Sequence, residues 1–257
     1  MAESMCGRYT ITSSAEAIRA FFRYEEQPDF PPRYNIAPTQ PISVVRLIDG
    51  KRQFALMRWG LVPSWVKDPA NFSLLVNARG ESVCEKPAFR SAMKYRRCLI
   101  PADGFYEWQA SGQGAKQPFY IHGKKDGPLA FAGLYETWTG PNGEEVDTAA
   151  IVTTRANQTL APLHDRMPVI LAPEAFDLWL NCTAVDARTA EALIAPAPDD
   201  LLEAWPVSRD VNRTANDRAS LIAPVTPGVV KPPEQPAVRA APRAKRDKAD
   251  DGQGVLF

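Results

Sequence analysis

The chain has 257 residues, 45% of them hydrophobic, which suffices for one large hydrophobic core or two small ones. Its 30 basic and 30 acidic residues cancel, which argues against a protein that holds a polyanion by overall charge alone. Four cysteines without CxxC spacing and only two histidines argue against a zinc site, and we expect no metal or cofactor. With no secretory signal and no run of ~18 apolar residues, the chain is predicted to be cytoplasmic with free thiols.

Hydrophobic periodicity predicts more strands than helices. In chain order, it predicts a helix capped by Ser13 or Ser14, strands at 41–48 and 52–60, a helix at 87–96, strands at 96–108, 117–123, 129–138 and 147–154, a helix opened by Pro173, and a helix at 186–195 capped by Asp186. Turn signals at 49–50, 125–127 and 140–143 predict antiparallel hairpins between the strands that they join. The predicted class is α+β, with mainly antiparallel sheet and peripheral helices.

Composition divides the chain near residue 224. The part up to residue 224 is predicted to be one globular domain. Residues 225–257 are rich in proline, alanine and charge and poor in aromatic residues. Such a segment buries too little apolar surface to offset its ordering entropy, so we predict a disordered tail.

Three polar clusters, at 77–81, 103–108 and 164–168, interrupt otherwise apolar stretches. Polar residues in such surroundings are either satisfied locally or serve a site. The structural alternatives are a core histidine at His164 bonded to Asp165 or to a carbonyl, an exposed strand position at Glu107, and a turn with a salt bridge at Asn77 and Arg79. The sequence alone leaves both interpretations open.

Cys6 differs from the other cysteines because it directly follows Met5, whereas Cys84, Cys98 and Cys182 fit the usual small buried thiol. If translation starts at Met5 and the methionine is removed, Cys6 carries a free α-amine beside its thiol. This 1,2-aminothiol condenses with an aldehyde to a Schiff base, which the thiol closes to a five-membered thiazolidine. The open form of an abasic deoxyribose is such an aldehyde.

A series of motifs follows in order along the globular part. They are MCGRYT at 5–10, RYNIAPTQ at 33–40, RWGLVPSW at 58–65, NARGES at 77–82, RRCLIPADGFYEW at 96–108, FAGLYETW at 131–138, LHDRMPVIL at 163–171 and VSRDVNRTANDRASLI at 207–222. Together they resemble the SOS response-associated peptidase family, the abasic-site processing proteins. The resemblance implies one domain of twisted, largely antiparallel sheets with a cleft for single-stranded DNA.

The resemblance also implies an enzyme of the DNA damage response that crosslinks itself to abasic sites, with associated autopeptidase (hydrolase) and lyase-like activity. Cys6 matches the family's nucleophile, and Asn77 matches the asparagine that positions the cysteine adduct. Glu107 matches the acid/base carboxylate beside the α-amine. His164 matches the histidine that assists sugar opening and Schiff-base formation. Glu107 and His164 also match residues linked to crosslink release and to removal of N-terminal residues.

Four further positions match DNA contacts of the family. Arg8 and Arg79 match phosphate or DNA contacts, and Pro38 with Trp65 matches an apolar wedge and stacking surface. The implied partner is single-stranded DNA that contains abasic sites. We expect a monomer associated with the nucleoid.

The N terminus departs from the family pattern, in which the cysteine directly follows the initiator methionine. Here residues 1–4 precede Met5, and a chain starting at Met1 leaves Cys6 without a free amine. Residues 1–5 are therefore predicted to be a leader that is absent from the mature protein. Either Met5 is the true start, or the protein removes these residues itself.

The final residues, Gln253, Leu256 and Phe257, resemble the short peptide by which bacterial proteins dock on the replication sliding clamp. Gly254 stands where a larger residue is usual. A random apolar C terminus is the alternative interpretation.

Two other functions remain open at the level of sequence. An ordinary thiol peptidase would use Cys6, His164 and either Glu107 or Asn77 on other proteins, without a free α-amine. A noncatalytic single-stranded DNA-binding module would retain its activity without Cys6.

Overall fold

Two β-sheets carry the fold of residues 6–110 and 116–226, the residues that this computed structural model describes. The strands are β1 (Tyr9–Ile11), β2 (Arg33–Ile36), β3 (Pro41–Ile48), β4 (Lys51–Trp59), β5 (Asn77–Arg79), β6 (Arg97–Ala102), β7 (Gly104–Gln109), β8 (Gln117–Gly123), β9 (Leu129–Thr139), β10 (Glu145–Arg155), β11 (Arg166–Pro168) and β12 (Leu202–Pro206). The helices are α1 (Ala15–Phe22), α2 (Arg90–Tyr95), α3 (Phe176–Leu180) and α4 (Ala187–Glu191). The predicted α+β class with mainly antiparallel sheet is confirmed.

The larger sheet closes on itself, because its strands run in the order β10-β4-β3-β6-β9 and β9 pairs again with β10. All of these pairings are antiparallel except that of β10 with β4. The end of β10 extends beyond β4 and β9, and there it pairs with β5 on one edge and β11 on the other. The short strands β5 and β11 therefore flank the end of β10 on its two edges.

The smaller sheet has the order β12-β8-β7-β1-β2 and packs on the closed sheet through aromatic side chains. Tyr9 of β1 lies edge-on to Trp59 of β4 with ring centroids 5.3 Å apart, and Phe105 of β7 lies edge-on to Phe131 of β9 at 5.8 Å. All four rings are fully buried. Truncating one such ring to alanine costs about 3–5 kcal/mol, so this contact fixes β1 and β7 against the closed sheet.

The predicted strand at 96–108 is wrong, because it is two strands that belong to different sheets. The chain passes from β6 to β7 at Asp103, whose carboxylate accepts hydrogen bonds from the backbone nitrogens of Thr12 and Ser13 at 2.5 and 2.9 Å. At Gly104 a Cβ would lie 2.5 Å from the Tyr120 hydroxyl and 2.6 Å from a backbone oxygen. A glycine is therefore needed where the chain crosses between the sheets.

The hairpins predicted at 49–50 and 140–143 are confirmed as β3–β4 and β9–β10. The hairpin predicted at 125–127 is wrong. β8 already pairs with β7 and β12, and β9 with β6 and β10, so the chain changes sheets here instead of pairing across the turn.

The helix caps follow the sequence pattern. Ser14 accepts a hydrogen bond from the nitrogen of Ala17, and Asp186 accepts one from the nitrogen of Thr189. The helices predicted at 87–96 and 186–195 are shorter than expected, and Pro173 opens a 3-10 turn that leads into α3. Within the described ranges, no helix has the length and apolar character needed to cross a membrane.

Candidate functional site

Cys6 and Glu107 meet at the junction of β1 and β7. The backbone nitrogen of Cys6 donates a 2.8 Å hydrogen bond to Oε1 of Glu107. The strands are antiparallel neighbours with Tyr9 opposite Phe105, and continuing this register places Gly7 opposite Glu107, so Cys6 is one position away. Cys6 is 1% exposed and Glu107 is 3% exposed, so the interpretation of Glu107 as an exposed strand position is wrong.

Burial raises the pKa of Glu107 to about 8. Hydrogen bonds from the backbone nitrogens of Cys6 and Trp108 act in the opposite direction, and the charge of Asp165 adds to the increase. Burial, together with Glu107, also raises the pKa of the Cys6 thiol well above its ordinary value. At neutral pH the site therefore holds a protonated carboxyl beside a protonated thiol.

The backbone of Cys6 has φ of +38°, in the left-handed region that residues other than glycine avoid. Such a conformation costs about 1–3 kcal/mol and persists only where the surroundings hold it. Here the hydrogen bond to Glu107 and the burial of the thiol provide that hold. The conformation fixes the direction of the Cys6 nitrogen relative to the carboxyl.

His164 ends a turn in which its backbone nitrogen donates to the carbonyl of Leu160 at 3.0 Å. Its Nδ1 accepts a 3.0 Å hydrogen bond from the backbone nitrogen of Arg166 and lies 3.0 Å from Oδ1 of Asp165. When Nδ1 accepts, the proton of the neutral ring is on Nε2, which can then donate to a ligand. The contact with Asp165 fits the structural alternative, which stays open.

An ion pair joins the first and third polar clusters. The Arg166 guanidinium bonds Glu81 through Nη1–Oε1 at 2.7 Å and Nη2–Oε2 at 2.9 Å, and it also donates to the carbonyl of Thr153 on β10. This lowers the pKa of Glu81. Both residues belong to the polar clusters at 77–81 and 164–168, but nothing in the sequence indicates that they pair.

The second cluster approaches the third through β7 and the turn before His164. Nε2 of Gln109 donates to the carbonyl of Pro162 at 3.0 Å. Asn77 and Arg79 lie on β5, whose register with β10 places Arg79 opposite Thr153. Asn77 is half-buried and Arg79 is exposed. The turn that is the structural alternative at these two positions is a strand instead. The first and third clusters flank the end of β10 through β5 and β11.

Arg8 is held inside the protein. Its Nη1 donates to Oδ1 of Asn35 at 2.8 Å and to the carbonyl of Val211 at 2.7 Å, and its Nη2 donates to the carbonyl of Asn212 at 3.3 Å. Burial lowers the pKa of this guanidinium. Arg8 thus ties β1 to the segment that follows β12.

Pro38 lies in the loop before the β3–β4 hairpin, and Trp65 lies in the loop after it. Trp65 is 59% exposed and packs edge-on against Phe72. Pro38 is half-buried in the turn before β3, where the nitrogen of Thr39 donates to the carbonyl of Trp59 at 2.8 Å. Trp65 thus offers an indole face to solvent.

The remaining predictions concern the two ends of the chain, the cysteines and metal binding. Gln253, Leu256 and Phe257, and the leader at residues 1–5, lie outside the described residues. The four cysteines are free thiols, and Cys98 is fully buried. Within residues 6–110 and 116–226, no group of three or more His, Cys, Asp or Glu side chains is arranged to hold a metal ion.

These features define an α+β protein in which a buried cysteine lies next to a buried glutamic acid. The chain belongs to the SOS response associated peptidase (SRAP) family, whose family model matches residues 5–214. It is 39% identical over 221 residues to the abasic site processing protein YoqW of Bacillus subtilis, covering 85% of this chain and 99% of that protein. It is 33% identical to the abasic site processing protein HMCES of Gallus gallus, covering 88% and 80%.

Solved structures share this fold. A protein from Bacteroides thetaiotaomicron superposes with a TM-score of 0.77 at 24% identity, covering 86% of this chain and all of that one. A phage-related protein from Bordetella bronchiseptica superposes with a TM-score of 0.64 at 35% identity, covering 79% and 94%.

Proposed function

We propose that this protein processes abasic sites in single-stranded DNA by capturing them covalently through Cys6, once Cys6 is the N-terminal residue. The observation that carries the proposal is the 2.8 Å contact between the Cys6 nitrogen and the buried carboxyl of Glu107. In a chain that begins at Cys6, that nitrogen is an α-amine held beside a proton donor and acceptor. The relatives named as abasic site processing proteins support DNA as the substrate.

The capture needs no oxidant or reductant. The Cys6 amine adds to C1′ of the ring-opened deoxyribose and forms a carbinolamine, which loses water to give an imine. The Cys6 sulfur then adds to the imine carbon while the thiol proton passes to nitrogen, and a thiazolidine results. The Glu107 carboxyl, 2.8 Å from this nitrogen, can give a proton to the departing hydroxyl and take one from the amine. Because both nucleophiles belong to one residue, ring closure gains a large effective molarity.

The other site residues have supporting roles in this proposal. His164 donates from Nε2 to the ring oxygen of the sugar as it opens, and Asn77 positions the adduct. Arg79 contacts phosphate, and Trp65 with Pro38 stacks on unpaired bases and separates the strands. Arg8 contributes by holding β1, in addition to any phosphate contact.

The proposal requires that residues 1–5 be absent from the active protein. Translation from Met5 followed by methionine removal gives this directly. Self-cleavage before Cys6 is the second route: water adds to the carbonyl carbon of residue 5, and Glu107, bonded to the Cys6 nitrogen, gives that nitrogen a proton as it departs. The same groups would act in reversal of the crosslink.

The test is the intact mass of protein expressed from Met5, with and without single-stranded DNA that carries one abasic site. We expect a chain that begins at Cys6, and a stable adduct of protein plus DNA minus one water. Cys6→Ala should abolish the adduct, and Cys182→Ala, at a half-buried thiol away from β1, should not. A protein beginning at Cys6 that forms no adduct would refute the proposal.

Two controls separate the alternatives. Blocking the α-amine should abolish the adduct, whereas an ordinary thiol peptidase would keep its activity. Burial and Glu107 raise the pKa of the Cys6 thiol, which affects both reactions, so the requirement for the amine is what separates them. A noncatalytic DNA-binding module would bind DNA equally well after Cys6→Ala and never form the adduct.

The C-terminal sequence supports a second partner, the replication sliding clamp. Leu256 and Phe257 would fill an apolar pocket and Gln253 would anchor by its amide, which would raise the local concentration of the domain near replicating single strands. Deleting residues 253–257 should abolish clamp binding and leave crosslinking in vitro intact. Unchanged clamp binding would contradict this assignment.

A further inference from the structure

Two groups compete for one nitrogen of His164. The backbone N–H of Arg166 and the carboxylate oxygen of Asp165 each lie 3.0 Å from Nδ1. An imidazole nitrogen either accepts a hydrogen bond through its lone pair or donates one through its proton. Arg166 therefore satisfies Nδ1 only when that nitrogen is unprotonated, and Asp165 satisfies it only when it is protonated.

We infer that Asp165 is a positioning residue that selects the tautomer of His164. With Nδ1 bonded to the Arg166 nitrogen, Nε2 carries the ring proton and His164 can only donate from it. With Nδ1–H bonded to Asp165, Nε2 is free to accept a proton, as in the histidine–carboxylate pairs of hydrolases. The exchange of partners converts His164 from a hydrogen-bond donor into a base.

This role deepens the proposed function and rests on it. With Nδ1–H bonded to Asp165 and Nε2 also protonated, His164 gives the Nε2 proton to the sugar ring oxygen. Nε2 then takes up the proton that leaves the C1′ hydroxyl as the aldehyde forms. Ring opening thus leaves the protonation of His164 unchanged, and one group serves as both acid and base.

The surrounding charges favour this assignment. The Arg166 guanidinium is occupied by Glu81 and the Thr153 carbonyl, so only the backbone nitrogen of Arg166 is bonded to His164. Asp165 also acts electrostatically on Glu107, so its charge reaches both proton-transferring groups. Lys116 acts on Glu107 in the opposite sense.

The Asp165 side chain is 85% exposed, so its effect is screened by water and salt. We expect Asp165→Ala and Asp165→Asn to slow single-turnover crosslinking about two- to fivefold, as for an exposed charged pair. The loss should appear in the rate of adduct formation and not in the affinity for DNA.

The direct test is the ¹⁵N NMR signal of the His164 ring in the DNA-free protein expressed from Met5. The chain has only two histidines, so His122→Gln assigns the spectrum. In the neutral ring, the fraction of His164 with its proton on Nδ1 should fall in Asp165→Ala. The exposed Asp200 provides the control Asp200→Asn, which should leave that fraction unchanged. An identical tautomer ratio in wild type and Asp165→Ala would overturn the inference.

The two proposals fail separately. If wild-type protein forms no adduct with abasic DNA, the proposed function is wrong whatever the tautomer ratio. If wild type forms the adduct and Asp165→Ala matches its rate at all pH values, the selection of tautomer by Asp165 has no part in the reaction and this inference is wrong.

Discussion

The backbone nitrogen of Cys6 lies 2.8 Å from Oε1 of Glu107, and both residues are buried. In a chain where Cys6 follows Met5, that nitrogen is an uncharged amide, and burial keeps the carboxyl protonated. In a chain that begins at Cys6, the same position holds an amine that ionises near neutral pH. A single proton can then be shared between the amine and Glu107, because an ammonium at this distance favours the carboxylate.

Glu107 should make stability depend on pH in the protein where Cys6 follows Met5. The folded carboxyl keeps its proton up to about pH 8, whereas an unfolded one loses it near ~4.3. Folding thus binds a proton between these values, and the free energy of unfolding falls as the pH rises through this window. Because E107Q removes this titration, its stability relative to wild type should increase from pH 4.5 to pH 8, by up to about 4 kcal/mol.

Denaturant unfolding at several pH values measures this difference. E174Q, at an exposed carboxyl, gives the baseline for replacing a surface charge. A difference between E107Q and wild type that does not change with pH would show that Glu107 is ionised in the folded protein.

Within β2, substitution of Asn35 should lower the free energy of unfolding the most. It is fully buried, accepts from Arg8, and its Nδ2 lies 2.8–3.1 Å from three carbonyl oxygens, those of Val211, Arg213 and Asn216. Asn35→Ala removes these buried hydrogen bonds, although Arg8 still donates to the Val211 carbonyl, and we expect a loss of about 2–4 kcal/mol in unfolding free energy. Hydrogen exchange should increase between residues 208 and 222. Unchanged exchange there would contradict the role of Asn35 as the anchor of this segment.

Arg166 and Glu81 should contribute differently to the free energy of unfolding, although they form one ion pair. Arg166→Lys loses the paired hydrogen bonds to Glu81 and those to Thr153 in a buried setting, so we expect a loss of about 1–3 kcal/mol. Glu81→Gln removes a charge that is 46% exposed, and we expect less than about 1 kcal/mol. Thermal or denaturant unfolding of both variants measures the order, and the reverse order would be inconsistent with the burial of Arg166.

Trp65 should matter for DNA and little for folding. Because its ring is largely exposed, Trp65→Ala should change stability by less than about 0.5 kcal/mol. Loss of one stacked base should weaken single-stranded DNA binding about fivefold to a hundredfold. Tyr95, in α2, is 56% exposed and supplies the control Tyr95→Ala. Fluorescence anisotropy with an oligonucleotide measures both, and equal effects would show that Trp65 has no specific role.

The sequence predicted long strands well and short ones poorly. The hairpins β3–β4 and β9–β10 combine strands of eight or more residues with glycine-containing turns, so pattern and turn chemistry agree. β1, β2, β5, β11 and β12 have three to five residues, too few to show an alternating pattern. They depend on pairing with longer strands that local sequence does not specify.

The site was predictable as a set of residues but not as a geometry. Side chains along β7 point alternately to the two faces of the sheet, as in any strand. The burial of Glu107 depends on which elements cover the face to which it points. The division of 96–108 at Asp103 likewise depends on contacts with Thr12 and Ser13, about 90 positions earlier in the chain. Asp165 and Arg166 adjoin His164 in sequence, yet their competition for Nδ1 requires atomic positions.

The hydrogen bonds of Arg8 and Asn35 to carbonyl oxygens within residues 211–216 have a consequence for the synthesis of the protein. A ribosome makes Cys6 among the first residues, but the segment that secures β1 emerges some 200 residues later. A nascent or prematurely terminated chain therefore carries the cysteine without the support that fixes β1. The order of translation thus delays the anchoring of β1, which follows Cys6, until almost the whole fold is available.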